Sequence, residues 1–294
     1  MTADPPCAAD LGPRLEAALA ATRLATRETL RWFGNPDLAV DRKADHSPVT
    51  HADRAAEAIL RRELLAAFPD DAFLGEESGA TAGTSAYEWI VDPIDGTKSF
   101  VRGVPLYATL VGCRLDGRGV LGVIAIPALD ELAYATIGSG AWHVRGRAAA
   151  VPARVSSRST LPESLVCSSD FVDFGRWSGG KTAGTEARGR LDAAAGLVRT
   201  WGDGYGYLLV ATGRAEVMID PRLNPWDAAA VEVVVTEAGG RFSDWRGQPR
   251  IDSGDGLATN GLVHDAILAT LDPSTWPCPR SARLQCPPSD PATI

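Results

Sequence analysis

The N-terminal part of the chain places apolar and polar residues with the period of a helix. Over 11–33, apolar residues recur at helical spacing, and Gly34 follows as a stop signal. A polar loop over 41–51 separates this segment from a second helix, predicted from about Asp53, in which apolar side chains return every fourth position. Two helices are therefore expected before the first long strand.

From residue 89 onward the pattern changes to short runs rich in β-branched and aromatic residues. These runs predict strands at 89–92, 106–115, 120–126 and 131–136. Glycine-bearing turns separate them, as at 116–119. Consecutive strands joined by short turns predict an antiparallel sheet.

Beyond residue 154, strands and helices alternate, which is typical of a second layered unit. The predicted elements are a strand at 164–167, helices at about 186–198 and 205–212, a strand at 215–219 and a helix at 224–238. Gly239 and Gly240 end the last of these, and Asn260 is expected to cap one further helix. We therefore expect an α+β / α/β fold in two parts, 1–154 and 155–272, followed by a proline-rich tail, 273–294, that is either mobile or draped on the surface.

Composition restricts the class of protein. With 294 residues and 45% hydrophobic content, the chain can bury a substantial core. Its net charge of −8 argues against binding to a nucleic-acid backbone, which needs clustered Lys and Arg. No apolar run reaches membrane-spanning length, no signal-peptide pattern opens the chain, and the five cysteines are scattered without a paired motif. A cytoplasmic protein with reduced thiols and no membrane or nucleic-acid partner is expected.

The first of the predicted strands ends in the segment WIVDPIDGT at 89–97. Pro93 stiffens this turn, and Gly96 lets the backbone bend so that Asp92, Asp95 and the Ile94 carbonyl can face one point. Magnesium prefers such hard oxygen ligands. The alternative is a turn with solvated carboxylates, because Asp-Pro and Asp-Gly pairs are common in turns.

Three neighbouring groups extend this candidate site. The Thr97 hydroxyl and the backbone amides of Gly96 and Thr97 could hold a phosphate or orient a water. Glu76, in GEES at 75–78, lies upstream of the same strand. Asp227 starts an otherwise apolar helix, where an aspartate is ordinarily a cap or a dipole partner.

Taken together, the segments resemble the inositol monophosphatase superfamily of magnesium-dependent, lithium-sensitive phosphatases. The matching stretches are KADHSPVTHAD at 43–53, GEES at 75–78, WIVDPIDGT at 89–97 and NPWDAAAVEVVVTEAGG at 224–240. The resemblance implies a layered αβαβα sandwich and usually a homodimer. Within the superfamily the chain is most similar to bacterial histidinol-phosphate phosphatases, through 95–110, 199–227 and FSDWRG at 242–247.

The resemblance also assigns the metal ligands. It implies one magnesium held by Glu76, Asp92 and the Ile94 carbonyl, and a second held by Asp92, Asp95 and Asp227. A third, weaker ion would lie near Glu76. Two metals can clamp the attacking and leaving oxygens of an in-line displacement.

The remaining roles concern the nucleophile and the phosphate. The resemblance implies a nucleophilic water near Glu76 and Thr97, with Asp53 accepting from the threonine hydroxyl and no phosphoenzyme. The amides of Gly96 and Thr97 would hold the phosphate. Lys43 lies on a loop that the family treats as mobile, and it would close over the phosphate or the metals; the alternative is an ordinary exposed lysine.

Substrate choice must come from groups on the alcohol side. Histidinol carries an ammonium group and a titratable imidazole, so acidic residues would complement it. Asp220 occupies the position where the family places a substrate-reading carboxylate, Asp227 lies at the same site, and Asp203 is a further candidate. Asp220 could instead simply end a strand, and Asp203 could cap the following helix. The chain departs from many histidinol-phosphate phosphatases at Gly204, where they carry cysteine.

Other functions compete with this interpretation. The alcohol could be inositol, another sugar or a phosphoadenosine nucleotide. An aspartyl-phosphate mechanism needs two acidic residues two positions apart, and Pro93 occupies the required position. An inactive scaffold homologue would have lost one or more site residues, whereas all five are present: Glu76, Asp92, Asp95, Thr97 and Asp227. A magnesium-dependent phosphatase acting on a small phosphate monoester is therefore predicted.

Overall fold

The computed structural model describes residues 8–36, 38–42 and 48–271. Within these residues the α-helices are α1 (Ala8–Trp32), α2 (His51–Ala67), α3 (Thr97–Val101), α4 (Lys181–Ala194), α5 (Gly204–Ala211), α6 (Pro225–Glu237) and α7 (His264–Leu271). Short 3-10 helices cover Pro127–Leu129, Leu161–Glu163 and Asp173–Arg176. The predicted tail at 273–294 and Lys43 lie outside the described residues.

The described strands form one antiparallel pair and two larger sheets. They are β1 (Val40–Arg42), β2 (Pro48–Thr50), β3 (Ala72–Gly75), β4 (Gly79–Thr81), β5 (Tyr87–Asp95), β6 (Ala108–Leu115), β7 (Arg118–Ile126), β8 (Glu131–Thr136), β9 (Ala141–Arg145), β10 (Val151–Pro152), β11 (Leu165–Cys167), β12 (Leu197–Arg199), β13 (Val217–Asp220), β14 (Arg241–Ser243) and β15 (Gly256–Thr259). The larger sheet has the order β10-β9-β8-β7-β6-β5-β3-β4, and the smaller has the order β12-β11-β13-β15-β14.

Parallel pairs within these sheets decide where the functional loops emerge. In the larger sheet β3 runs parallel to β5, while β5 through β10 pair antiparallel. In the smaller sheet β12, β11 and β13 run parallel. The chain therefore leaves β3 and β5 at one shared edge, and leaves β12, β11 and β13 at another.

Helices cover both sheets and separate them. Helices α1 and α2 pack on one face of the larger sheet, around buried residues such as Leu60 and Trp89. Helices α5 and α6 lie between the sheets and contact strands of both. Helices α4 and α7 cover the outer face of the smaller sheet. This order of layers confirms the predicted αβαβα sandwich.

The helix α6 shows why the middle layer is so close-packed. Gly112 and Gly122 of the larger sheet face it, and a Cβ at Gly112 would lie 2.8 Å from the Ala229 Cβ. Small residues on both elements let the helix axis approach the sheet closely. This approach brings the N-terminus of α6 to the edge where β5 ends.

One predicted helix was wrong in its bounds. The segment predicted as a helix over 186–198 is divided between α4, which ends at Ala194, and the strand β12. Ala195 adopts an extended backbone, and Gly196 packs directly on the Pro162 carbonyl. Parallel pairing of β12 with β11 thus decides the conformation of a sequence that has helical spacing.

The predicted polar loop over 41–51 also contains regular structure. Its described residues at 41–42 and 48–50 belong to the paired antiparallel strands β1 and β2. Thr50 then caps α2, which begins at His51 and not at Asp53. Among the described helices, none combines the length and apolarity needed to cross a membrane.

Candidate active site

A bulge near the end of β5 sets the geometry of the two central carboxylates. The pairing of β5 with β6 shifts register between Asp92 and Asp95, where Pro93 has no N–H to donate. The Asp92 carboxylate accepts the Ile94 amide at 2.9 Å, and Thr109 donates to the Pro93 carbonyl at 2.8 Å. The bulge thereby turns both acidic side chains toward the strand end.

Asp227 reaches the same place from the first turn of α6. Its carboxylate accepts the backbone N–H of Asn224 at 2.8 Å and the Asn224 side-chain amide at 3.1 Å. Carboxylate oxygens of Asp92, Asp95 and Asp227 all lie within 4.8 Å of one another. The cap that sequence analysis considered for Asp227 is present, and it holds the carboxylate in this cluster.

Glu76 follows β3 and lies beside the cluster because β3 is parallel to β5. Its charge raises the pKa of both Asp92 and Asp53, although burial is the larger cause in each case. The loop that carries it is held by Glu57 of α2. The Glu57 carboxylate accepts the backbone N–H groups of Glu77 and Ser78 at 2.7 Å each.

Asp53 and Thr97 form the predicted hydrogen-bonding pair. The Thr97 hydroxyl lies 3.3 Å from Asp53 Oδ1 and 3.1 Å from the Ile94 carbonyl oxygen. The other Asp53 oxygen accepts the Thr50 amide at 2.8 Å and the Thr50 hydroxyl at 2.6 Å. Burial raises the pKa of Asp53, against the hydrogen bonds from Thr50. The carboxylate is therefore fixed in orientation and retains one oxygen for Thr97.

The electrostatics of the cluster favour a cation. Burial, followed by repulsion from Glu76, Asp95 and Asp227, raises the pKa of Asp92 well above its usual range. Burial and the Asp203 carboxylate raise the pKa of Asp95 in the same way. In the described part of the chain, no Arg or Lys forms an ion pair with the three clustered carboxylates. Crowded hard oxygen donors without a protein counter-charge fit a divalent metal such as Mg²⁺.

Residues at the ends of the parallel strands of the smaller sheet line the opposite side of the candidate site. Asp220, at the end of β13, is buried and accepts the Ser169 amide at 2.9 Å and the Tyr207 hydroxyl at 2.9 Å. Burial raises the pKa of Asp220 to about 6. Both Asp220 oxygens thus have partners within the protein.

Asp203 lies where this side of the site meets the loop after β5. It precedes α5, as the alternative of a helix cap anticipated, but its side chain makes no capping bond. Its carboxylate lies against Gly96, and the amide of the next residue, Gly204, donates to Asp95. Burial, then the charges of Asp220 and Asp227, raise the pKa of Asp203 to about 7.

The predicted residues therefore converge from both halves of the chain. Sequence analysis missed Glu57 and Ser169, which touch the loops of Glu76 and Asp203. Glu57 follows Asp53 by one helical turn on the same buried face of α2, and this spacing could have indicated it. The signal for Ser169 exists only in the fold, since β11 and β12 must pair before it meets Asp203.

Comparison with known proteins identifies the class to which this site belongs. The profile of the Inositol monophosphatase family matches residues 10–275, so the chain belongs to that family. Membership of this family, together with the histidinol-phosphatase relatives described next, makes the protein a hydrolase of phosphoric monoesters.

Individual relatives narrow the likeness. A histidinol-phosphatase of Chlorobaculum parvum is 42% identical over 259 residues, which are 87% of this chain and 96% of the relative. A histidinol-phosphatase of Mycobacterium tuberculosis is 39% identical over 260 residues, 88% of this chain and 97% of the relative. The solved inositol monophosphatase of Anabaena (Nostoc) superimposes with a TM-score of 0.77 at 29% identity, covering 93% of this chain and 99% of its own.

Proposed function

We propose that this protein is a magnesium-dependent phosphomonoesterase that hydrolyses histidinol phosphate to histidinol and phosphate. The observation that carries the proposal is the convergence of Asp92, Asp95 and Asp227 within 4.8 Å, without a cationic side chain of the described chain to neutralise them. A phosphate dianion could not approach such a cluster unless divalent cations reversed its charge.

Two or three magnesium ions would be held by oxygen donors already gathered at the end of β5. These donors are Glu76, Asp92, the Ile94 carbonyl, Asp95 and Asp227. When bound, magnesium neutralises phosphoryl oxygens and lowers the pKa of a coordinated water. The bulge of β5 and the cap of α6 orient the donors in advance, so little reorganisation opposes binding.

Asp53 and Thr97 move the proton of the attacking water. Asp53 keeps one oxygen for the Thr97 hydroxyl, so this hydroxyl can pass a proton to Asp53 while accepting one from water. The raised pKa of Asp53 makes it a better proton acceptor than an exposed aspartate. The amides of Gly96 and Thr97 hold the phosphoryl oxygens.

The proposed choice of alcohol rests on two acidic residues, Asp203 and Asp220, and on the relatives. Asp203 presents a half-buried carboxylate beside Gly96, whose amide is proposed to hold the phosphate, and Asp220 lies behind Asp203. Histidinol carries an ammonium group that these acidic residues would attract, whereas inositol is neutral. The histidinol-phosphatases of Chlorobaculum parvum and Mycobacterium tuberculosis support the same assignment.

The test is phosphate release by the purified full chain from a panel of monoesters. The panel contains histidinol phosphate, inositol 1-phosphate, fructose 1,6-bisphosphate, a phosphoadenosine nucleotide and β-glycerophosphate, each with Mg²⁺ and with excess EDTA. We expect kcat/KM for histidinol phosphate to exceed every other by more than about tenfold, or about 1.4 kcal/mol. We expect EDTA to abolish release.

Three results would overturn parts of this proposal. A preference for another monoester would overturn histidinol phosphate as the substrate, but it would leave the proposed metal-dependent hydrolysis unchanged. Full activity in EDTA would exclude the metal. No release from any ester would favour an inactive scaffold of the same fold.

A further inference from the structure

Asp203 has a backbone conformation that aspartate seldom adopts. Its φ is 52° and its ψ is −157°, close to a region populated almost only by glycine. Such a conformation persists only where the surroundings impose it, and residues of this kind cluster at functional sites. The described structure must therefore contain groups that hold Asp203 in place.

Ser169 is the first of these groups. Its hydroxyl oxygen accepts the Asp203 backbone N–H at 2.9 Å. The preceding glycine, Gly202, packs so closely on the Ser169 backbone that a Cβ there would collide with it. The Ser168 amide also donates to the Arg199 carbonyl at 3.1 Å, which joins the two segments along their length.

Asp220 is the second group that holds Asp203 in place, and it does so indirectly, by binding Ser169. One of its oxygens accepts the Ser169 amide, and the other accepts the Tyr207 hydroxyl, both at 2.9 Å. Asp220 is 2% exposed, so these bonds form away from solvent. The pair of bonds ties the end of β11 to α5, the helix that starts immediately after Asp203.

The result of this conformation is visible at Gly96. A Cβ on Gly96 would lie 2.5 Å from an Asp203 carboxylate oxygen, so the space that a side chain would fill is taken by the carboxylate. An aspartate with an ordinary φ would direct its side chain elsewhere. The strained backbone thus places the negative charge of Asp203 next to Gly96, whose amide is proposed to hold the phosphate.

We propose that Ser169 is a positioning residue for substrate specificity, and that Asp220 serves it as an anchor. Ser169 holds Asp203 in this positive-φ conformation, and the Asp203 carboxylate then binds the cationic part of the alcohol. This proposal rests on the proposed function, because it assumes a substrate with an ammonium group. It gives Asp220 an indirect part, in place of direct contact with the alcohol.

The backbone part is tested without any substrate. Both Asp203→Gly and Asp203→Ala remove the carboxylate, but only glycine accepts the left-handed φ without cost. At an ordinary φ the alanine variant would be the more stable. We expect the glycine variant to melt about 2–4 °C above the alanine variant. The reverse order would show that Asp203 is not held as described, and would overturn the proposal.

The specificity part is tested by the ratio of kcat/KM for histidinol phosphate to kcat/KM for β-glycerophosphate. We expect Asp203→Asn and Ser169→Ala each to lower this ratio by about tenfold. In the double variant, Ser169→Ala should change the ratio less than about twofold beyond Asp203→Asn, because Ser169 acts through Asp203. Ser178→Ala, at an exposed serine, is the matched control and should leave the ratio unchanged.

Contrary results separate this proposal from the proposed function. Independent, additive effects of the two substitutions, or an equal loss on both substrates, would overturn the positioning role. A wild-type enzyme that prefers another ester would overturn the substrate assignment, and the melting order of the Asp203 variants would still decide whether the backbone is held.

Discussion

Glu57 and Gly75 are in direct contact: a Cβ on Gly75 would lie 2.5 Å from the Glu57 carboxyl carbon. Glu57 is buried in α2, and its carboxylate binds the backbone of the turn that begins with Glu76. Glycine at 75 lets the turn close around the carboxylate. The orientation of a proposed metal ligand therefore depends on the absence of a side chain at its neighbour.

We expect Gly75→Ala to damage both stability and activity. The added methyl group must displace Glu57 or the turn, which should cost about 1–3 kcal/mol of unfolding free energy in urea titrations. Turnover should fall by about tenfold or more, because Glu76 moves with the turn. Gly189→Ala is the control, since Gly189 lies in α4 with nothing within 4 Å of its Cβ position. Equal behaviour of the two variants would disprove the contact.

Asp92→Asn tests the central carboxylate. Asp92 is repelled by three acidic neighbours, so its neutral analogue should not lower the melting temperature of the metal-free protein. Turnover should fall by about 100-fold or more, because a shared metal ligand is lost. Asp116→Asn, at an exposed turn with φ of 48°, is the control and should retain activity. Near-normal turnover by Asp92→Asn would contradict the proposed site.

The pKa shifts predict how stability depends on pH. The pKa of Asp203 is raised to about 7 and that of Asp220 to about 6, from a usual value of 3.8. A raised carboxyl pKa means that the folded state binds more protons than the unfolded state between the two values. These groups therefore stabilise the fold fully below pH 3.8, and their contribution is lost as the pH rises toward about 7.

The measurement is the melting temperature in EDTA and in Mg²⁺ at pH 6 and pH 8. In EDTA, we expect the difference between wild type and Asp203→Asn to favour wild type less at pH 8 than at pH 6. Mg²⁺ should raise the melting temperature more at pH 8, because protons compete with the metal for carboxylates. A larger effect of Mg²⁺ at pH 6 would contradict this coupling.

The ion pair between Arg14 and Asp71, away from the candidate site, is predicted to contribute to the stability of the fold. Both terminal oxygens of Asp71 lie 3.0 Å from an Arg14 nitrogen, and the Arg14 guanidinium lies 3.5 Å from the Tyr87 ring centre and 4.2 Å from that of Phe68. Asp71 also accepts the Trp89 indole N–H at 3.1 Å. This cluster attaches α1 to the larger sheet.

Arg14→Met should lower the free energy of unfolding by about 3 kcal/mol, because it leaves Asp71 buried without its cation. Arg62→Met, which breaks an exposed pair with Glu63, should change it by less than about 0.5 kcal/mol. Urea unfolding followed by tryptophan fluorescence measures both. Similar losses in the two variants would show that burial of the pair has no importance.

Much of the fold could be predicted from local patterns. The spacing of apolar residues predicted α1, α2 and α6, and runs rich in β-branched and aromatic residues predicted the strands β6 to β8. The prediction was wrong at 186–198, because helical spacing did not reveal that Leu197 and Val198 would pair beside β11. Strand pairing over long distances overrides local propensity there.

Part of the candidate site could likewise be predicted from the sequence, and part could not. Motif spacing indicated Asp92 and Asp95, which lie at the end of β5, and Glu76, which follows the parallel neighbour β3. It could not show that both oxygens of Asp220 bond within the protein, nor that Asp203 is strained. Those relationships arise from the meeting of β11, β12 and β13, which no local pattern encodes.

The most direct test of the account is to locate divalent metal in crystals of the wild-type protein soaked with Mn²⁺, using anomalous scattering. We predict anomalous peaks bound by the carboxylates of Asp92, Asp95 and Asp227, and their loss in crystals of Asp92→Asn. Catalytically active crystals with no metal at this cluster, or with metal bound only elsewhere, would contradict the account.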